Sequence, residues 1–223
     1  MKYLLFFLFL PVLLYAVPVT LQNATATYSQ SGYTVDKSID GVIDSYGWAV
    51  NAIPNHSAAW ETVSNVTASK ITFTMHQLYN LHWLGRFLFS VTSDSRSTFA
   101  DGLLNNGDVT ANWIALENPT ITLPSGMNYS VLEDKSILIS ATSLPGTGVY
   151  YVEYSLPIAN ITGIRLDTLP HSSLTNNGPG LGYNGNFVLS ELVVDASGTF
   201  AIPEPASFFL LGFFIIFRYL YKK

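Results

Sequence analysis

Apolar and polar side chains alternate with a period of two in run after run of this chain, a period that suits half-buried β-strands and not helices. Ile71, Phe73 and Met75 alternate with Thr72, Thr74 and His76, and Phe87, Phe89 and Val91 alternate with Leu88 and Ser90. Tyr150, Val152, Tyr154 and Leu156 stand opposite Val149, Tyr151, Glu153 and Ser155, while Ile164, Leu166 and Thr168 flank Arg165 and Asp167. Residues 187–194 are almost continuously apolar, broken by Ser190 and Glu191, so this run is expected to be buried on both faces. Turn-forming clusters at 105–108, 144–148 and 176–180 separate the runs. No long 3.6-residue period occurs inside the body, where residues 109–117 could form at most a short helix. The pattern predicts an all-β body over residues 17–200, a single jelly-roll β-sandwich without internal repeats.

Composition narrows the chemistry. The 223 residues include no cysteine, which excludes disulfide staples, thiolate zinc sites and cysteine nucleophiles. Hydrophobic residues make up 48% and charged ones 11%, the reverse of a disordered chain. The net charge of −5 leaves no basic footprint, so nucleic acid is not an expected partner. Residues 17–202 alone carry −8, with 20 charged residues among 186 and 55 that are Ser, Thr or Asn. Such a neutral-polar, acidic surface suits a secreted β-protein and disfavours anionic polymers as partners.

Both ends of the chain read as addresses. Residues 1–16 combine a basic start at Lys2, an apolar run over 3–14 and a small residue at Ala16, which is signal-peptide anatomy with cleavage expected after Ala16. At the other end, Pro203-Glu204-Pro205 leads into an apolar stretch and a basic terminus of Arg218, Lys222 and Lys223. Residues 206–217 would span roughly 18 Å as a helix. Extension through Tyr221, with Arg218 reaching back to the interface, gives a short membrane-spanning helix whose basic end stays cytoplasmic. Residues 201–223 resemble the PEP-CTERM sorting signal of Gram-negative bacteria, with the difference that Tyr-Leu-Tyr interrupts the basic residues. The resemblance implies an exosortase as processing partner and anchoring in the inner membrane. It also implies a cell-surface or extracellular destination, in a setting of exopolysaccharide and biofilm.

A second resemblance covers Asp40 to Glu191. Ser38-Ile39-Asp40-Gly41 followed by Gly47-Trp48-Ala49-Val50 is similar to the opening of discoidin-like (coagulation factor 5/8 type C) galactose-binding folds. Leu84-Gly85-Arg86-Phe87, Arg165-Leu166-Asp167, Gly178-Pro179-Gly180 and residues 185–191 follow in the order of a variant found in planctomycete surface proteins, although Leu181 stands where that variant has arginine. In such folds the first and last strands lie side by side, which would bring Asp40 near Glu191. The family often holds one structural calcium there, so the resemblance implies Asp40, Asp44 and Glu191 as its oxygen donors, with backbone carbonyls completing a shell of six to eight. Val42 departs from the family's usual second polar ligand, and the alternative for these aspartates is a turn that satisfies backbone donors.

The remaining candidates follow from residue type. His56, His76, His82 and His171 share no metal-ligand spacing, and His82-Trp83 reads as packing. Glycines 178, 180, 182 and 185 precede a strand instead of opening a helix, so they do not form a phosphate loop. The chain has no Gly-x-Ser-x-Gly elbow. The sequons at Asn23, Asn65, Asn128 and Asn160 are chance products of an Asn/Thr-rich chain if its source is bacterial. Sugar binders set aromatic faces against pyranose rings and ring them with amides and charges. Tyr46, Trp60, Trp113 and Tyr183 are the loop aromatics expected in that role, with Arg96, Asn184, Asn55, His56 and Asn177 as polar neighbours, whereas Trp48, Trp83 and most tyrosines are expected in the core. The expected function is non-enzymatic binding of a neutral glycan or exopolysaccharide. The alternatives are a structural or adhesive matrix protein making protein contacts and, third, a glycan hydrolase.

Overall fold

The computed structural model describes residues 16–51 and 55–198. Residues 1–15 of the expected signal peptide and the expected sorting residues Pro203, Glu204, Pro205 and Arg218 lie outside that range. Among the described residues no helix is long and apolar enough to cross a membrane.

The strands are β1 (Val17–Pro18), β2 (Leu21–Ala26), β3 (Trp48–Val50), β4 (His56–Val66), β5 (Lys70–Gln77), β6 (Arg86–Thr92) and β7 (Ile114–Ala115), then β8 (Thr120–Thr122), β9 (Met127–Val131), β10 (Ile137–Ala141), β11 (Gly148–Ser155), β12 (Ile161–Thr168), β13 (Phe187–Leu189) and β14 (Glu191–Ser197). They build a five-stranded sheet ordered β1-β14-β5-β11-β8 and a second sheet ordered β2-β4-β12-β6-β10-β9, with β7 paired to β6; β13 and β3 form a separate ribbon. The expected β-sandwich architecture is present. All its strand pairs are antiparallel, and the first strand pairs with the last, Val17 opposite Ala196.

The alternation read from sequence is the pleat of this sandwich. In β5, Ile71, Phe73, Met75 and Gln77 point inward and are buried, and Tyr150, Val152 and Tyr154 of β11 and Leu192 and Val194 of β14 meet them on the same face. Phe87, Phe89 and Val91 of β6 face them from the other sheet, and the Phe73 and Phe89 rings stack across the gap at 3.9 Å with 3° between their planes. Trp83 lies flat against Tyr150 at 5.3 Å, and its indole N–H donates to the Pro145 carbonyl. Without disulfides, this aromatic core carries the stability.

The structure departs from the expected pattern in three places. The apolar run over 187–194 is two strands, because the chain breaks at Ser190, whose N–H donates to the His76 carbonyl while its hydroxyl accepts from the Leu78 N–H. Residues 93–113 form a long loop with only a single 3-10 turn, and 109–117 holds strand β7 in place of a short helix. That loop lies on the outer face of the second sheet. Phe99, fully buried, packs on Gly163, where any side chain would collide with its ring. Asn23, at a bulge of β2 with φ 52°, donates from Nδ2 to the Ala100 carbonyl and fastens the loop to the sheet. Finally, among the described tyrosines only Tyr150 and Tyr154 are in the core.

Candidate functional site

At the pole of the five-stranded sheet where β5 ends and β14 begins, three loops converge. The first, residues 39–47, runs from Ile39 to the start of β3. Gly41 turns it with φ +79°, Asp40 Oδ1 accepts from the Val42 N–H, and Asp44 Oδ1 accepts from the Tyr46 N–H at 2.7 Å. Gly47 packs so closely on the Leu189–Ser190 backbone that no side chain fits there. The second is a turn over residues 79–82, closed by His82 N–H donating to the Tyr79 carbonyl. It holds Leu81 at φ +60°, a strained conformation for a branched residue, and strain of this kind gathers at functional sites. The third is a tight turn in which the Gly185 N–H donates to the Gly182 carbonyl, projecting Tyr183 and Asn184 outward. Asn186 braces it by donating its N–H to Asn184 Oδ1 and its Nδ2 to Gln30 Oε1.

These loops, with Tyr33 from the turn over residues 30–33, place five rings in succession. Tyr46 stacks on Tyr33 (5.7 Å, 26°), Tyr33 meets Tyr79 edge-on (5.8 Å, 81°), Tyr79 meets His82 (4.7 Å, 85°), and His82 meets Tyr183 (5.6 Å, 87°). Tyr46 is 53% exposed, Tyr79 36% and Tyr183 81%, so the row opens to solvent at both ends. The Lys37 ammonium sits 5.2 Å from the Tyr46 ring centroid. Burial first, and then the neighbouring Tyr79 phenol, raise the Tyr33 hydroxyl above the usual tyrosine range, which keeps it a neutral donor. His82 Nδ1 lies 2.7 Å from the Asn80 carbonyl, a contact that requires the proton on Nδ1; in the neutral ring Nε2 is then the acceptor.

The structure brings together only part of the expected binding set. Tyr46 and Tyr183, with Asn184, stand at opposite ends of the row. Trp60 is not a loop residue: it is fully buried in β4, edge-on to Trp48, because strand alternation aims it inward with Ala58 and Thr62. Arg96 is spent on structure, its Nε donating to the Thr62 carbonyl and its Nη2 to Asn65 Oδ1. Trp113 lies half-buried on the outer face of the second sheet, with Arg165 over its ring at 5.1 Å and Phe99 edge-on at 5.3 Å. Tyr33 and Tyr79 join the row without having been expected there, and His82, expected to pack, is 7% exposed. A usable signal was present, since Tyr-Asn occurs in a turn twice, at 79–80 and 183–184.

Beside the row, the Gly41 N–H donates to Glu191 Oε1 at 3.3 Å. Glu191 Oε2 is buried without a partner, and burial first, with the nearby Asp40 carboxylate adding to it, raises the carboxyl to about 7. An orphaned buried carboxylate oxygen next to a second carboxylate fits a hard cation that draws its remaining oxygens from backbone carbonyls. Asp44 does not complete the expected trio: among the described residues no three His, Asp or Glu side chains are grouped to hold a metal, and Asp40 and Asp44 each accept a backbone N–H of their own turn.

No family model matches the chain, and no curated protein matches it. Solved structures do. The family 32 carbohydrate-binding module of Clostridium perfringens NanJ, determined in complex with galactose, is 13% identical over 81% of this chain and 99% of its own, at a TM-score of 0.38. A structure of the Streptococcus pneumoniae beta-galactosidase BgaA is 12% identical over 81% and 98%, at 0.48. A CBM32 module from a family 31 glycoside hydrolase of Clostridium perfringens is 14% identical over 82% and 90%, at 0.43. Such likenesses concern architecture and carry nothing about this chain's ligand.

Proposed function

We propose that this chain is an exported, non-enzymatic surface protein that binds neutral glycan through the aromatic row at one pole of its sandwich. The row itself carries the reading. Exposed tyrosine rings offer apolar faces to the C–H side of a pyranose, while their hydroxyls, Asn184, Lys37 and His82 Nε2 supply donors and acceptors for its hydroxyl groups. The acidic surroundings of Asp36, Asp40 and Asp44 favour a neutral ligand over an anionic one. The ends of the described chain support a tail-anchored arrangement: Val17 pairs with Ala196, and Ser197 pairs with Lys70, at the pole opposite Glu191 and the row. The seven residues of β14 separate the two poles by about 20 Å. A membrane tail following Ser197, handled by an exosortase, would thus present the row away from the membrane.

A glycan array probed with the full chain tests this. Defined neutral hits that Tyr79→Ala and Tyr183→Ala weaken support it; a blank array refutes it. The second reading, an adhesive matrix protein, draws on exposed aliphatic residues at the same pole, Val42 (51%), Ile43 (58%) and Leu81 (41%). A blank array together with concentration-dependent self-association that Ile43→Ser abolishes would favour it.

A further inference from the structure

We infer that the row takes an internal stretch of a single, twisted glycan chain, and neither a lone terminal sugar nor a flat crystalline surface. This rests on the glycan-binding reading above and specifies its ligand. Successive ring centroids lie 5.7, 5.8, 4.7 and 5.6 Å apart, spacings comparable with one pyranose residue, and the exposed rings of Tyr46, Tyr79 and Tyr183 recur along this row, so it addresses several sugars in sequence. Both terminal rings are open, Tyr46 at 53% and Tyr183 at 81% exposure, so a chain can continue past either end. A pocket for a chain end would be walled on one side.

The ring planes decide the shape. Only Tyr46 and Tyr33 are near parallel, at 26°; each later step turns by 81°, 85° or 87°. A flat ribbon of polysaccharide needs coplanar faces and would touch one of these rings at a time. A chain whose sugars rotate from one to the next can meet face, edge and face in turn. Between the Tyr79 and Tyr183 rings, His82 is held by the Asn80 carbonyl through Nδ1, so that Nε2, the acceptor of the neutral ring, is left without a protein partner among the described residues. It selects a sugar that directs a hydroxyl inward at that point.

Calorimetric titration of the full chain with malto-, laminari- and galacto-oligosaccharides, from monosaccharide to hexasaccharide, tests this, with retention on insoluble cellulose measured alongside. Affinity is expected to rise with each added sugar in at least one series, and cellulose to retain nothing. Tyr46→Ala and Tyr183→Ala, both at exposed positions, should each lower hexasaccharide affinity by about threefold to tenfold. Neither should change disaccharide affinity as much. His82→Phe, which keeps the packing ring and removes the acceptor, should lower affinity at every length. A monosaccharide bound as tightly as the hexasaccharide, or strong retention on cellulose, would overturn the extended-chain inference while leaving glycan binding intact. Failure to bind any sugar in these series or on the array would overturn both.

Discussion

Glu191 shows how one residue can report on what a site is built to hold. Strand pairing sets it opposite His76 on the outer face of the sheet, yet the turn at Asp40-Gly41 covers it to 5% exposure. A buried acceptor left without a partner costs about 1–3 kcal/mol, and a hard cation shared with Asp40 would offset that cost. Calcium added to the calcium-free chain is therefore expected to raise its melting temperature. Glu191→Gln should remove the response, because an amide supplies no charge to the ion. An unchanged melting curve in the unsubstituted chain at saturating calcium would end the calcium reading. Asp44→Asn, in contrast, should leave the calcium response in place and loosen only the Tyr46 turn, since Asp44 is not grouped with Asp40 and Glu191 to hold a metal.

Among the elements, the loop over 93–113 is held by one buried aromatic ring and by hydrogen bonds to residues 23–29. It is long for a segment with so little regular structure, and such loops stay ordered only when their own side chains dock. Phe99 supplies that docking against Gly163, helped by Asn23 on the Ala100 carbonyl and by Asn105 accepting from the Ser29 N–H. Phe99→Ala is expected to destabilise the fold by about 3 kcal/mol. Amide exchange should accelerate across 93–113 first, while β5 and β11 stay protected; uniform exchange across both sheets would show that the loop is part of the global unfolding unit. The same substitution should leave glycan binding unchanged, because the aromatic row belongs to other loops.

For the molecule as a whole, polarity follows from which strands are neighbours. Pairing of β1 with β14 puts both described ends at one pole, and the start of β14 at the other carries the row. Since the chain has no cysteine, single thiols introduced at Ser197 and at Tyr183 can be labelled separately. In lipid vesicles holding the full chain, a dye at 197 should be quenched strongly by a membrane-bound acceptor and one at 183 weakly; equal quenching would contradict the tail-anchored orientation. By itself the sequence determined the strand class, the inward sets on β5, β6 and β11, and the burial of Trp48 and Trp83, because alternation against a dry core is a local rule that neighbouring residues obey together. The proximity of Asp40 and Glu191 was implied by resemblance, and the Gly41 N–H on Glu191 Oε1 bears it out. Only the tertiary structure decided the site. Tyr33, Tyr46, Tyr183 and the Tyr79–His82 turn come from separate segments, and alternation, which sorts the tyrosines of a strand into inward and outward sets, is silent on which turn tyrosines meet. Trp60 makes the converse point: its neighbours do not disclose whether an indole lies in a loop or in a strand, and the register of β4 against β12 turned it inward.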